Sequence, residues 1–334
     1  MTTLSAIALF LVSFLLMTIS SFILGASVEK FKVRYLLPGA VVGMVAALAA
    51  DAPEIASAIT ALFAGSHNVG IGIIIGSCIF NIAVLIGLNA LIIDKLPLNR
   101  KALLWDGATS LIILSILILL LYKYISPLLA FLLFVAILIP YILISVLKPR
   151  NTTEKRLSGK MNKLVQLTDQ QNEKVAKEKH AVFWKSWSGT WPAVISVAVI
   201  IATSVGMVNS AIFLGKLMGL NQVILGTIIL ALLTSIPNMI TSLRLAKEGS
   251  GAAVISESLN SNNLNIFIGV SLPVVLTTLG MVTRQALFSV WCLLGISFTA
   301  LALLYYFKGF NRLAGAVIIG LYLLFVLSLV FWRF

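Results

Sequence analysis

Charged side chains are scarce in this chain. Of its 334 residues, 11 are acidic and 24 basic, so 10% are charged and 60% are apolar; soluble domains carry about 25% charge. That scarcity excludes an ordinary soluble domain. Imidazole and thiol are scarcer still. The two histidines, His67 and His180, fall outside the long apolar runs, which removes a His-based zinc site or an intramembrane Ser/His pair. The two cysteines, Cys78 and Cys292, fall inside those runs and offer no disulfide framework. A long polar stretch occurs once, at 148–189. Residues 1–25 lack both a basic n-region and a small-residue cleavage site. They are expected to remain as a first span and not to be removed as a signal peptide.

What the chain has in quantity is apolar length. Its mean hydropathy is +1.07, and its apolar runs exceed the roughly 18 residues that mark a membrane span. Ten are expected, at about 3–25, 37–63, 69–93, 102–122, 126–147, 190–213, 221–246, 251–277, 285–307 and 312–333. Only helices or closed barrels satisfy all backbone groups in lipid, and these runs are too long for barrel strands. The expected class is therefore all-α, a polytopic membrane protein.

The net charge of +13 invites a nucleic-acid reading, which its distribution rejects. One side of the ten-span arrangement holds only Lys123, Lys216, Arg284 and Arg333 of the 24 basic residues. The other side holds the rest, including Lys30, Lys32, Arg34, Lys95, Arg100, Lys101, Lys308 and Arg312. Such asymmetry over short loops is the positive-inside signal. It places both termini outside and 148–189 in the cytoplasm as a basic linker. Contact with anionic lipid is a further use of the charge.

The chain also repeats itself. Pro53, Glu54, Ser77 and Asn81 return as Pro237, Asn238, Ser261 and Asn265, each 184 positions on. Residues 47–82 and 231–266 align without gaps and share Ala47/Ala231, Leu48/Leu232, Gly65/Gly249, Ser66/Ser250, Ile71/Ile255 and Ile82/Ile266. Two five-span units are expected, at 1–147 and 190–334. An odd number of crossings makes the second copy enter the membrane from the opposite side. Inverted repeats of this kind hold transporter binding sites near the bilayer midplane.

The polar residues of the repeats define a candidate site. Asp51, Glu54 and Glu257 are acidic residues within spans, where an ionised carboxylate costs about 2.5–3.5 kcal/mol on insertion scales and is a functional candidate by default. Asp51 and Glu54 are three residues apart and share a helix face. Pro53 between them removes a backbone donor, and a kink there would free carbonyls near Ala47 and Ala50 as ligands. Thr234, Ser235, Pro237 and Asn238 repeat the pattern with neutral oxygens. Ser77 and Asn81, and Ser261 and Asn265, are four apart and face one way. Glu257 stands one further turn back on the face of Ser261, where the first half has Ile73. Carboxylate, amide, hydroxyl and carbonyl oxygens without sulfur or imidazole suit hard cations such as Ca²⁺. Close helix packing accounts equally well for the serines and the glycines around them, and interhelical hydrogen bonding for the asparagines.

These residues resemble the sodium/calcium exchanger family of cation/calcium antiporters, whose two repeats carry G-T-S-x-P-E followed by G-S-N-x-x-N or G-S-N-x-x-D. Here the matching stretches are A-A-D-A-P-E at 49–54, G-S-C-I-F-N at 76–81, L-T-S-I-P-N at 233–238 and N-S-N-N-L-N at 260–265. The resemblance implies cation ligands at Ala47, Ala50, Asp51, Glu54, Ser77 and Asn81, and at Ala231, Thr234, Ser235, Asn238, Ser261 and Asn265. Backbone carbonyls serve at the alanines. It departs from the family at Asn238, where a glutamate is usual, at Asn265, and at Asp51, where serine is usual. Both site carboxylates thus come from one repeat.

The expected function is antiport of Ca²⁺ or a similar cation against Na⁺ across a prokaryotic cell membrane. No cofactor is expected beyond the transported ions, Ca²⁺, Na⁺ or H⁺. The alternatives are a cation/proton exchanger and a non-transporting homologue that lost its second acidic site. An enzyme is not expected, because no nucleophile–base pair or metal triad falls within the spans.

Overall fold

The structure, a computed structural model, describes residues 2–35, 39–93, 100–147, 191–247, 251–277 and 279–331, without the side chains at 29–35, 39–46, 101, 102, 144–147 and 252. Every regular element among the described residues is a helix. In chain order these are α1 (Thr3–Tyr35), α2 (Gly39–Phe63), α3 (His67–Ile92), α4 (Arg100–Leu121), α5 (Pro127–Leu147) and α6 (Trp191–Leu217). They continue with α7 (Gln222–Thr234), α8 (Ile236–Lys247), α9 (251–276), α10 (Arg284–Phe307) and α11 (Arg312–Phe331). The expected linker at 148–189 lies outside the described residues.

Seven of these helices are long and apolar enough to cross a membrane, and the pair α7–α8, bent by 48°, makes an eighth if taken as one span. The expected spans 37–63 and 126–147 are α2 and α5. Both are helical but not among the seven; α5 counts as a shorter apolar helix, Pro127–Leu143. Helix starts follow local chemistry. Asn221 accepts the Val223 N–H at 2.8 Å and the Thr283 hydroxyl accepts the Ala286 N–H, each an N-cap that satisfies an orphan donor. Between α2 and α3, Gly65 at φ +73° supplies the left-handed residue of the turn.

The layers follow from burial. The most apolar stretch of α3 is 94% buried and that of α1 only 28%, so α3 is a central strut and α1 a peripheral one. α1 lies along α6 and against α2, and both peripheral helices turn large apolar side chains outward, among them Leu4, Leu15, Ile195 and Ile201. α3 can sit at the centre because it approaches α7 backbone to backbone. A Cβ placed on Gly76 would lie 2.1 Å from the Thr227 carbonyl oxygen, and one on Gly226 would lie 2.4 Å from that of Val69. Gly72 and Gly76 form a small-x-x-x-small face, the usual device for close helix contact in lipid.

Two features distinguish the repeats' polar helices from plain spans. A π-helical turn begins at each of the matching asparagines, Asn81–Ile86 in α3 and Asn265–Ser271 in α9. Such turns widen the backbone ladder and recur at functional sites. The matching prolines, in contrast, behave differently. Pro237 follows a break at Ser235 (φ −83°, ψ 0°), whereas α2 runs unbroken through Pro53. Of the two matching positions, the helix is interrupted only in the second repeat.

Candidate functional site

α2 brings Asp51 and Glu54 to the centre, both with no solvent exposure. Their neighbours all donate to them. Glu54 Oε1 accepts from Ser235 Oγ at 2.6 Å and from Asn238 Nδ2 at 3.2 Å. Glu54 Oε2 accepts from Asn265 Nδ2. Asp51 Oδ1 accepts from Asn238 Nδ2 at 2.7 Å and from Ser261 Oγ. One amide nitrogen, that of Asn238, thus bridges the two carboxylates with its two hydrogens. Asn81 joins one step out, its Nδ2 donating to Ser261 Oγ at 3.0 Å and to Asn262 Oδ1 at 3.1 Å.

The local folding explains this aim. Three residues along a helix bring Asp51 and Glu54 onto one face of α2. The break at Ser235 frees that residue's side chain from the run of α7 and starts α8 so that Asn238, three residues on, meets the same carboxylates. On α9, Ser261 and Asn265 are one turn apart and each takes one carboxylate. Hydrogen bonds to a charged group contribute about 1.5–3 kcal/mol each, which offsets part of the cost of burying two carboxylates.

The donors aimed at the two carboxylates are spent, but several acceptor oxygens around them are not. Asp51 Oδ2, Asn81 Oδ1, Asn238 Oδ1 and Asn265 Oδ1 are buried without a hydrogen-bond partner. Buried polar atoms are almost always partnered, so a cluster of orphan oxygens around two carboxylates is a chemical statement. Lone pairs without donors suit a positive ion. Among the described residues no group of three His, Cys, Asp or Glu side chains is placed to hold a metal. The donor set is therefore carboxylate, amide and hydroxyl oxygen, the choice of hard cations.

Of the twelve expected site residues, six meet directly in one network: Asp51, Glu54, Ser235, Asn238, Ser261 and Asn265. Asn81 meets it through Ser261, and Ser77, buried on the helix of Asn81, stands against the Glu54 carboxylate. Thr234 stands apart from the network. Its hydroxyl turns back along its own helix to the carbonyls of Leu230 and Ala231, at 3.0 and 3.2 Å. The Ala231 carbonyl also takes the Ser235 N–H at 3.0 Å, while the Thr234 oxygen, a donor in both bonds, keeps its lone pairs. Ala47 is buried and Ala50 half-buried on α2; no side-chain donor engages the carbonyl of either among the described residues.

Residues outside the expected set also belong here. Asn262 donates to the Cys78 carbonyl at 3.1 Å, and Cys78 Sγ reaches the Asn262 carbonyl at 3.8 Å. Asn89 Nδ2 donates to Ser242 Oγ at 2.6 Å, tying α3 to α8. Asn262 lies within the N-S-N-N-L-N motif and is the repeat counterpart of Cys78, the signal that could have found it. Asn89 and Ser242 are each one or two turns beyond a site residue on the same face, a weaker signal.

Known proteins resemble this chain in sequence and in fold. The sequence profile of the family described as "Sodium/calcium exchanger protein" matches residues 5–148 and 188–331. Sodium/potassium/calcium exchanger 2 of Mus musculus is 34% identical over 145 residues, 41% of this chain and 21% of that protein. Sodium/calcium exchanger MaX1 of Methanosarcina acetivorans is 26% identical over 136 residues, 41% of this chain and 39% of that protein. The matches thus span well under half of each relative's length. Among solved structures, the H⁺/Ca²⁺ exchanger CAX superposes with a TM-score of 0.71 at 18% identity, covering 98% of this chain and 82% of CAX. The sodium-calcium exchanger NCX_Mj superposes with a TM-score of 0.61, also at 18% identity, covering 99% of this chain and all of its own. At these identities the structures establish a shared fold.

Proposed function

The chain belongs to the sodium/calcium exchanger family, and from that premise we propose that it is a membrane antiporter moving Ca²⁺ or a similar cation against Na⁺ by alternating access. The observation that carries the reading is the set of buried, partnerless oxygens around Asp51 and Glu54. The proposed ligands are the carboxylates of those two residues, the side-chain oxygens of Ser77, Asn81, Ser235, Asn238, Ser261 and Asn265, and carbonyls at Ala47, Ala50 and Ala231.

We further propose ten membrane spans in two inverted five-helix repeats, 1–147 and 190–334, joined by a cytoplasmic linker at 148–189, with both termini outside. Three hydrogen bonds support this arrangement. Each joins residues 184 apart: Asn238 to Glu54, and Asn262 and Cys78 reciprocally. A residue that touches its own repeat counterpart sits on the axis relating the copies. The positive-inside asymmetry supports the orientation, and a prokaryotic cell membrane is the proposed location.

Transport then follows from competition and closure. A divalent ion and Na⁺ share Glu54 and its neighbours, so occupancy by one excludes the other. Because both carboxylates are sealed from solvent, entry requires the surrounding helices to move. The peripheral pair α1 and α6 is the one free to slide, being half-exposed and packed mainly on each other and α2.

One observation favours a second reading, exchange against protons. Both site carboxylates come from α2 and share the single Asn238 nitrogen. Two adjacent carboxylates in a low-dielectric site repel, and either a cation or a proton relieves the repulsion. Isotopic ⁴⁵Ca²⁺ uptake into proteoliposomes separates the cases. Uptake driven by an outward Na⁺ gradient at constant pH is expected; uptake driven by a proton gradient with no Na⁺ present would select the second reading, and no uptake under any gradient would remove both.

The neutral residue at 238 provides a further test. Asn238→Glu adds a third carboxylate where an amide now bridges the pair. Without an ion, three carboxylates repel; with Ca²⁺ they are all satisfied. Affinity for Ca²⁺ in such oxygen sites rises with ligand charge, so calorimetric titration is expected to show binding tighter by about tenfold or more. Unchanged affinity would place residue 238 outside the ligands.

A further inference from the structure

The antiport reading leaves one intramembrane acid unused, Glu257. It stands one turn before Ser261 on α9, on the face that delivers Ser261 to Asp51 and Asn265 to Glu54. Its Oε2 is buried and has no hydrogen-bond partner. The next residue, Ser258, is fully buried and its hydroxyl is likewise partnerless. Asp51 completes the set: its Oδ1 is taken by Ser261 and Asn238, while its Oδ2 is free of donors and without solvent exposure.

Two bland explanations fail. A carboxylate near a helix start can be held by the helix dipole, but that effect falls off within the first turn. The first turn of α9 contains no acid, and Glu257 is the seventh residue of the helix segment Gly251–Leu264. Solvation at a helix end would leave both oxygens wet, whereas Oε2 is inaccessible. The repeat gives no structural reason either, since the counterpart of Glu257 is Ile73, a fully buried apolar residue. The carboxylate belongs to the second repeat alone, the one whose positions 238 and 265 are neutral.

We infer that Glu257, Ser258 and the free oxygen of Asp51 form a second station for a hard, oxygen-bound cation, on the side of the central pair toward the start of α9. This inference rests on the antiport reading. A cation passing between the α9 start and Glu54 meets Glu257 first and Asp51 next, so the two carboxylates of the station hand it inward. Asp51 serves both stations, Oδ1 bound within the central network and Oδ2 left free for the second.

Calorimetric titration of the purified full chain in detergent with Ca²⁺ as the sole probe tests it. The wild type is expected to show two binding events. Glu257→Gln is expected to weaken one by about tenfold or more and leave the other within about twofold, and Ser258→Ala to weaken the same event less. Ser258→Ala serves as the independent variant should Glu257→Gln fail to give folded protein by gel filtration. Glu54→Gln is expected to remove the other event. A Glu257→Gln isotherm that superposes on the wild type overturns the station while leaving the antiport reading intact. Loss of both events in folded Glu257→Gln overturns a separate station as well. A wild type that binds no Ca²⁺ removes the antiport reading and the station with it.

Discussion

Glu54→Gln is expected to lower cation-driven ⁴⁵Ca²⁺ exchange in proteoliposomes to the level of protein-free vesicles while leaving the protein folded. Glu54 accepts three hydrogen bonds, from Ser235, Asn238 and Asn265, and is fully buried. A glutamine has the same shape, so no cavity opens. The amide nitrogen it introduces needs an acceptor, and Asn265 supplies one by turning its amide over, because Asn265 Oδ1 has no partner. The turned Asn265 Nδ2 then gives up its carboxylate acceptor, so the swap costs about 1–3 kcal/mol for a buried donor left unmet, too little to unfold the protein.

What is lost is charge. A cation in this pocket must be compensated by carboxylates within a low-dielectric interior, where a missing unit charge is felt strongly. With only Asp51 left in the central pair, a divalent ion keeps half of its immediate compensation. The matched measurement is thermal unfolding of the same preparation with and without Ca²⁺. A melting point near the wild type, together with loss of the Ca²⁺-dependent increase, is the expected result. Wild-type exchange in the folded variant would remove Glu54 from the site and the proposed mechanism with it.

Gly76→Val is expected to abolish the yield of monodisperse protein. A Cβ there meets the Thr227 carbonyl oxygen at 2.1 Å, the Thr227 carbonyl carbon at 2.7 Å and Ala231 Cβ at 2.7 Å. Two of those three atoms are backbone, so no rotamer change relieves the contact; α3 and α7 must separate. Overpacking of side chains alone costs about 1–3 kcal/mol, and displacement of a central helix costs more. Separation also moves Ala231 and the break at Ser235, whose hydroxyl holds Glu54. Gly295→Val on α10 is the control, because nothing lies within 4 Å of its added Cβ. It is expected to behave as wild type in gel filtration, and a well-folded Gly76→Val would show that the α3–α7 approach is not obligatory.

Much of the helical layout was legible because lipid imposes one solution on long apolar runs. The expected run at 102–122 is α4 (Arg100–Leu121), and that at 285–307 is α10 (Arg284–Phe307). The acids were legible because intramembrane charge is rare enough to single out Asp51 and Glu54 unaided. The 184-residue repeat located their partners, and six of the twelve expected residues do meet in one network. Thr234 lies outside that network because its hydroxyl donates to the carbonyl one turn earlier, a course that a serine or threonine in a helix often takes. Asn262 was passed over because motif spacing ranks residues by position and is blind to which helix crosses at that level.

The prolines mark the boundary between the two kinds of information. Pro53 and Pro237 occupy equivalent places and each removes one backbone donor, a covalent property readable in the sequence. Whether the helix then breaks is a matter of the surrounding packing: α2 stays whole, while α7 and α8 part at Ser235 with a 48° bend. By itself the chain's composition and periodicity determined that it is helical, apolar and duplicated, and where its intramembrane acids stand. Only the tertiary structure decided which donors reach those acids and which oxygens are left without partners. That difference has a physical origin: solvent preference acts on each segment separately, whereas hydrogen bonds between α2, α8 and α9 exist only after close packing has fixed their separations to tenths of an ångström.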